Sequence, residues 1–416
     1  MVTTLVRLSA LVGSRLLDPS GEPIGSVDDM VVWLAEGTYP PVTGALVKMG
    51  GSEVFVPSGH LGRLHEGSLA LSAERDGFDP FQRRPGEVLL RRDVLGHKLI
   101  HIGAHNRPRL VRAADIDLTD IDGTWRVAGI DAARRRWTLH RHSSADEHPF
   151  FVDWADLEPF VGHVPTSRLR LRTRRLAQLY PADIADLVEA ASPAEGEEIL
   201  EAVGENEALE ADVFEELDQE HQLEMVAKRS DSEVASLLDN MAPDDAADLL
   251  SEIDQDRREP ILSHMAAGRR QRLASLLGYN PQTAGGLMIP DGVCVPTDAT
   301  VKEALDRLRA DTEGPDTLDT VYLVSTDGKL AGAVRLRELL RADAGDSLDG
   351  IAHSDPPRVR SSADVAEVTL AMTDYNLSTL AVVDEGDRII GVVTVDDVLE
   401  LLVPDAWRRR AEADAG

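Results

Sequence analysis

The chain has 416 residues, 43% of them hydrophobic, and carries 74 acidic against 43 basic side chains, a formal net charge of −31. That length exceeds what one core supports and predicts two to four domains. So acidic a surface disfavours nucleic acid and anionic lipid and attracts cations. The single cysteine, Cys294, excludes an internal disulfide framework and fits a reducing compartment. With neither a signal-peptide pattern nor an apolar run of about 20 residues, the expectation is a soluble, cytoplasmic protein.

Residues 1–165 alternate short β-like runs with Gly, Pro and Asp turns, as at Val27–Leu34, Val42–Met49, Glu53–Pro57 and Glu87–Leu90. Several short strands with turns between them predict a small barrel or sandwich. There is a faint duplication: the phrase from Leu11 to Gly25 is echoed from Val94 to Ile102, and a strand pattern follows each copy. These phrases resemble the PRC-barrel family, whose members are adaptors, and the resemblance implies a small β-barrel, single or in two repeats, without catalysis. His97, His101 and His105 recur every four residues, but Ile100, Ile102 and Gly103 point to strand and turn rather than a helical metal site.

Residues 166–180 form the only strongly basic stretch, read as a linker or a first helix docking on the acidic run that follows. From Leu179 to Gly278 short amphipathic helices repeat. Pro181-Ala-Asp-Ile, Pro193-Ala-Glu-Gly and Pro243-Asp-Asp-Ala each place proline at a first helical position with acids in the first turn. A variant without proline starts at Ser230. Between Pro181 and Ile261 there are 26 acids and 4 bases. Self-repulsion at that density is relieved either by solvent or by a bound divalent cation.

The phrase Ala284-Gly-Gly-Leu-Met288, with Pro243-Asp-Asp-Ala-Ala-Asp-Leu-Leu250 and Phe214-Glu-Glu-Leu-Asp218 before it, resembles the cytosolic region of MgtE-type magnesium channels. Residues 289–403 contain a tandem: Val295-Pro-Thr-Asp is echoed at Val359-Arg-Ser-Ser, and Tyr322–Val334 at Ala381–Val393. Each copy reads as helix, strand, turn, strand, helix and resembles a CBS repeat. The fold expected is therefore multidomain α and α+β. It comprises a PRC-like β domain (1–165), an acidic helical superhelix like the MgtE N domain (166–278), a linker (279–288), CBS repeats at 289–345 and 346–403, and a tail (404–416). The family's connecting plug helix and membrane helices have no counterpart before the last residue, Gly416, so the expected role is sensing rather than transport.

Candidate site residues follow from the stretch Gly391-Val-Val-Thr-Val-Asp-Asp-Val-Leu-Glu400. An apolar run reads as a strand, Thr394 as an N-cap, and Asp396, Asp397 and Glu400 as acids on the helix after it. The MgtE resemblance implies Mg²⁺ held between Asp397 and Glu400 on the CBS side and Asp244, Asp245 and Asp248 on the helical side. Mg²⁺ suits such a place, because it takes oxygen ligands and keeps several waters. Asp374 is a further metal candidate by that resemblance, although Asn376 stands where the family often has a second acid. The same stretch fits the adenosine-binding CBS ending, in which Thr394 contacts phosphate and Asp397 holds the ribose of ATP or another adenylate. The first repeat has Arg335 and Glu338 at those positions. The resemblance also implies a homodimer through the CBS domains and a separate membrane transporter as partner. No catalytic motif is present: there is no Gly-x-Ser-x-Gly, His-Glu-x-x-His, P-loop or zinc-type cysteine spacing. Cys294 reads as core.

Overall fold

The computed structural model describes residues 5–34, 38–65, 68–72, 78–84, 86–103, 108–132, 150–158, 176–204, 206–290, 292–310 and 319–403. The expectations for His105, for the basic stretch up to Arg175 and for the tail 404–416 fall outside these residues. The chain divides into two compact units, Met1–Leu209 and Glu210–Gly416.

In the first unit the β-like runs become β1 (Leu5–Arg7), β2 (Arg15–Leu17), β3 (Pro23–Trp33), β4 (Val42–Met49), β5 (Ser52–Pro57), β6 (Leu61–His65), β7 (Ser68–Leu71) and β8 (Glu87–Leu89), with a short helix α1 (Leu8–Leu11) after β1. A second series follows: β9 (Lys98–His101), β10 (Arg109–Ile121), β11 (Thr124–Ala132), β12 (Phe151–Asp153) and β13 (Leu157–Glu158). One sheet runs β5-β4-β3-β2-β7-β6, the other β12-β11-β10-β9-β13. The duplication is structural. The antiparallel run β2 to β5 is repeated by β9 to β12, and Gly44, Ala45 and Leu46 pair with Pro57, Val56 and Phe55 as Gly129, Ile130 and Asp131 pair with Asp153, Val152 and Phe151.

The two copies exchange their leading strands: β1 pairs with β10 of the second copy, and β8 pairs with β3 of the first. Each exchange is clamped by an aspartate. Asp115 accepts from the backbone N–H of Ser9 (3.1 Å), and the equivalent Asp29 accepts from those of Arg91 (2.7 Å) and Arg92 (3.0 Å). Leu8, Leu16 and Val56 share one core with Leu90, Leu99, Ile116 and Trp154. Strands this short bury too little to be stable alone, so the copies fold as one domain. Two helices of the acidic run, α2 (Pro181–Glu189) and α3 (Pro193–Val203), also fall in this unit, and Lys98 reaches from β9 to the Ala190 carbonyl (3.2 Å) and the Glu195 carboxylate (3.3 Å).

Helix α4 (Glu207–Glu215) spans the division, and α5 (Gln219–Lys228), α6 (Asp231–Asn240), α7 (Pro243–Glu252), α8 (Gln255–His264) and α9 (Ala267–Leu276) follow. The sequence signals hold at their starts. Pro181, Pro193 and Pro243 open helices, and Ser192 with Glu195 and Ser230 with Glu233 form reciprocal capping boxes that satisfy the first free N–H groups.

Two CBS-type units complete the chain. The first has β14 (Cys294–Pro296), α10 (Val301–Ala310), β15 (Thr320–Val324), β16 (Leu330–Arg335), α11 (Leu336–Leu339) and β17 (His353–Ser354). The second has β18 (Arg358–Arg360), α12 (Val365–Tyr375), β19 (Thr379–Val383), β20 (Ile389–Thr394) and α13 (Val395–Leu402). In each, a parallel pair precedes an antiparallel hairpin. Cys294 is half-buried and borders a cluster of Ile289, Tyr322, Ala381 and Val392, in keeping with its reading as core.

The phrase Ala284–Met288 is clamped onto the second repeat, which explains its glycines. Ala284 N–H donates to Ala363, Gly285 N–H to Ser361, and Ile289 exchanges both backbone bonds with Val392. A Cβ on Gly285 would lie 3.0 Å from the Ser361 carbonyl oxygen and inside the Tyr279 ring. Only glycine lets backbone approach backbone this closely. Among the described residues no helix is long and apolar enough to cross a membrane.

Candidate cation site

The site is built at the start of α7, and its geometry begins with a buried arginine. Arg269 on α9 donates to the carbonyls of Leu238 (2.8 Å) and Met241 (2.5 Å), fixing the turn from α6 into α7. On the same turn, the N–H of Ala242 donates to the Glu215 carboxylate at 2.5 Å. The first turn of α7 then presents Asp244 and Asp245, with Asp248 one turn on. Acids there are favoured by the helix dipole, and that alone accounts for one or two of them. Their surroundings are what set them apart.

Asp244 is only 6% exposed, and its Oδ1 has no hydrogen-bond partner. Burial drives its pKa far above the usual carboxylate range, and the charges of Asp397 and Glu215 push it further. Asp245 is raised likewise by burial, then by Asp244, Glu215, Asp397 and Glu400. Asp248, which reaches solvent, is still pushed up to about 6 by desolvation, with Glu252 and Glu400 adding repulsion. Glu215 is pushed up to about 7 by burial, against the opposing pull of the Ala242 N–H. Burial likewise moves Asp397 on α13 to about 6, opposed by its bonds from Thr394 and reinforced by Asp396 and Glu400. Like charges taken partly out of water favour the neutral form or a counter-cation, and every shift here has that sign.

Asp244, Asp245, Asp248, Asp397 and Glu400, the residues the MgtE resemblance pointed to, thus act on one another's charge. Glu215 joins them, although it was not singled out. Its signal was the Phe214-Glu-Glu-Leu-Asp218 phrase, read only as part of a resemblance. Asp374 stands exposed in the last turn of α12, and it is not among the charges that raise the five shifted carboxylates.

Thr394 caps α13 as its place after β20 predicts: it is fully buried, and its hydroxyl and N–H both donate to Asp397. Both residues of the nucleotide reading are thus bonded to each other. In the first repeat Glu338 is bonded to the Arg335 N–H (3.0 Å) and to the His353 ring (2.9 Å), while the Arg335 guanidinium lies 3.5 Å from the Tyr375 and Asn376 carbonyls. His101 is a strand residue in the first unit, its ring 3.4 Å from Arg109 Nε and its pKa lowered by burial.

Residues 179–282 match the family of the MgtE intracellular N domain, and 284–345 and 348–404 match the CBS domain. Over 137 residues the chain is 39% identical to the magnesium transporter MgtE of Thermus thermophilus, covering 33% of this chain and 30% of that one. Over 195 residues it is 27% identical to MgtE of Bacillus subtilis, covering 47% and 43%. The chain thus spans less than half the length of these relatives. A crystal structure of the cytosolic domain of the Mg²⁺ channel MgtE in complex with ATP superimposes with a TM-score of 0.53 at 30% identity, covering 56% of this chain and 94% of that one. The soluble part of a magnesium transporter shares the fold at 24% identity, with a TM-score of 0.53 over 57% of this chain and 93% of that one.

Proposed function

We propose, from a chain whose residues 179–404 are an MgtE N domain joined to a tandem CBS pair and homologous to MgtE magnesium transporters, that this protein is a Mg²⁺-responsive regulatory module. A hydrated divalent cation bridges Asp244, Asp245 and Asp248 on α7 to Asp397 and Glu400 on α13, with Glu215 closing the cluster. One observation carries this reading: the Asp244 carboxylate is buried, has an oxygen without a hydrogen-bond partner, and is acted on by Asp397 from another domain type. Mg²⁺ meets such a place without a fixed cage, since it binds through one or two carboxylates and keeps its waters. With the ion present the charges are neutralised and α7 stays against α13. Without it the carboxylates take up protons or repel, and the helical domain loosens from the second CBS repeat. The state of that contact is the signal, read by a membrane transporter as partner. Leu370 and Tyr375 on α12 and Leu399 and Leu402 on α13 are each about half exposed or more, which supports a homodimer through the CBS domains.

A second reading has one specific support, the Thr394–Asp397 pair beside a relative solved with ATP. In it an adenylate ribose takes Asp397 from its bond with Thr394, so ATP and the cation compete for one carboxylate. Small-angle scattering and thermal melting during separate titrations with Mg²⁺ and ATP distinguish the readings. Compaction and stabilisation by millimolar Mg²⁺, lost in Asp244→Asn, is the expected result; an unchanged radius and melting temperature would falsify the sensor.

A further inference from the structure

The two CBS-type units match position by position where the last long strand of each enters its helix. Thr320 and Val321 pair with Arg335 and Val334 as Thr379 and Leu380 pair with Thr394 and Val393. Glu338 then accepts from the Arg335 N–H as Asp397 accepts from the Thr394 N–H, and Leu339 and Val398 are the buried residues of the two helices. The exposed face beyond this shared start is reversed in charge. Arg337, Leu340 and Arg341 follow β16 where Asp396, Leu399 and Glu400 follow β20. The N–H groups of Leu340 and Arg341 donate to Leu336 and Glu338, so the helical turn of α11 reaches Arg341. At spacings of three and four residues each trio lies on one helical face. Leu340 is 68% exposed and Leu399 52%.

The acids of α13 are already engaged within the chain, since Asp397 and Glu400 bear on the charges of α7. The bases of α11 are not. Among the described residues neither the Arg337 nor the Arg341 guanidinium has an ion pair or a hydrogen bond. The one acid of that helix, Glu338, is held by the His353 ring (2.9 Å) and the Arg335 N–H (3.0 Å). Asp343 and Asp346 close their own turn, where the Asp343 N–H donates to the Asp346 carboxylate (3.0 Å). In a chain of net charge −31, two guanidinium groups thus flank a solvent-facing leucine.

We propose that the face made by Arg337, Leu340 and Arg341 docks an acidic amphipathic helix of a partner protein, and does so without a metal ion. At the equivalent place on α13, acids meet the acids of α7 and their like charges oppose each other. On α11 the same kind of helix finds guanidinium groups, which take carboxylates through paired N–H donors. The leucine between them selects a helix with an apolar stripe rather than a free anion. A second copy of this chain is the poorer occupant. Its surface of matching charge, Asp396 with Glu400, lies on the helix that already faces its own acidic α7.

The test uses the full chain in EDTA and, as an acidic helix, a fluorescent peptide copying Pro243–Glu252, with binding followed by anisotropy. Saturable binding is expected. It should weaken about tenfold in the double variant Arg337→Glu, Arg341→Glu, the size of two exposed ion pairs turned to repulsion. It should also weaken as ionic strength rises. Both side chains are exposed, so the variant keeps its fold, with the melting temperature as control. Arg337→Lys with Arg341→Lys should keep most of the binding, since the positive charge is retained. Absence of saturation at millimolar peptide overturns the proposal. So does binding that needs Mg²⁺ and survives the double variant, which would seat the peptide on α13. A dimer of the full chain that Arg337→Glu, Arg341→Glu dissociates and added Asp396→Arg, Glu400→Arg restores would overturn it too, by assigning the face to a second copy.

Discussion

Two groups of buried carboxylates, Asp28 with Glu87 in the β domain and the cluster around α7, are held in opposite ways, although Asp29 in the β domain is itself pushed up to about 6 by burial. In the β domain Asp28 is bonded to Lys48 (2.7 Å) and to Arg91 and Arg92, and Glu87 takes the Arg84 N–H, its guanidinium and the Thr43 hydroxyl. Both have pKa values below the usual range, although burial alone would raise them. Around α7 the neighbours of a buried acid are mostly other acids, and all the shifts go upward. A buried carboxylate supplied with bases and N–H donors is architecture. One supplied with more carboxylates stores repulsion that a ligand can release.

The largest expected effect lies on the architectural side. Glu87→Ala should destabilise the β domain by about 3 kcal/mol, because the Arg84 N–H, its guanidinium and the Thr43 hydroxyl lose a nearly fully buried acceptor. Urea unfolding followed by tryptophan fluorescence measures it, and a loss under about 1 kcal/mol would remove the contrast with α7. On the other side, Mg²⁺ at about tenfold its dissociation constant should stabilise the second unit by about 1.4 kcal/mol. Asp244→Asn together with Asp397→Asn should abolish that response in a melting experiment.

Asp244→Asn alone should raise the stability of the metal-free protein, by about 1 kcal/mol, since it removes a carboxylate that burial and its acidic neighbours force to take up a proton on folding. The sign is the point: losing the carboxylate is harmful at Glu87 and favourable at Asp244. The pH profile follows from the same shifts. A carboxylate whose folded pKa is raised costs no stability below its unfolded value near 4, and that cost is fully present above its folded value. Metal-free stability from this cluster should therefore fall between about pH 4 and 7, the window set by Asp248, Asp397 and Glu215. Saturating Mg²⁺ should flatten the profile, and a metal-free profile that rises across that window would contradict the assigned shifts. The smallest effect belongs to Lys98→Ala, where a partly exposed bridge to Glu195 is lost; a change of about 0.5 kcal/mol or less is expected by thermal melting.

How much could be read beforehand depends on the range of the interactions involved. Helix starts at Pro181, Pro193, Pro243 and Ser230 were legible, and so were the strands at Val42–Met49 and Glu53–Pro57, because caps, proline geometry and β-branched runs act within a few residues. The cap at Thr394 was legible for the same reason. The acids of α7 and α13 were legible as candidates only through a family resemblance, since in so acidic a chain a carboxylate pair carries little information by itself.

By itself the sequence determined the local elements, the duplication in the β domain, the tandem of CBS units and the acidic character of the helical run. Those follow from patterns repeated along the chain, where neighbours in sequence are neighbours in space. Tertiary structure alone decided which acids share a desolvated space. It brought Glu215 to the start of α7 through the Ala242 N–H, left Asp374 exposed at the end of α12, and swapped β1 and β8 between copies. Those outcomes depend on which distant backbone groups and charges share a desolvated space, and desolvation is a property of the folded packing that no local pattern encodes.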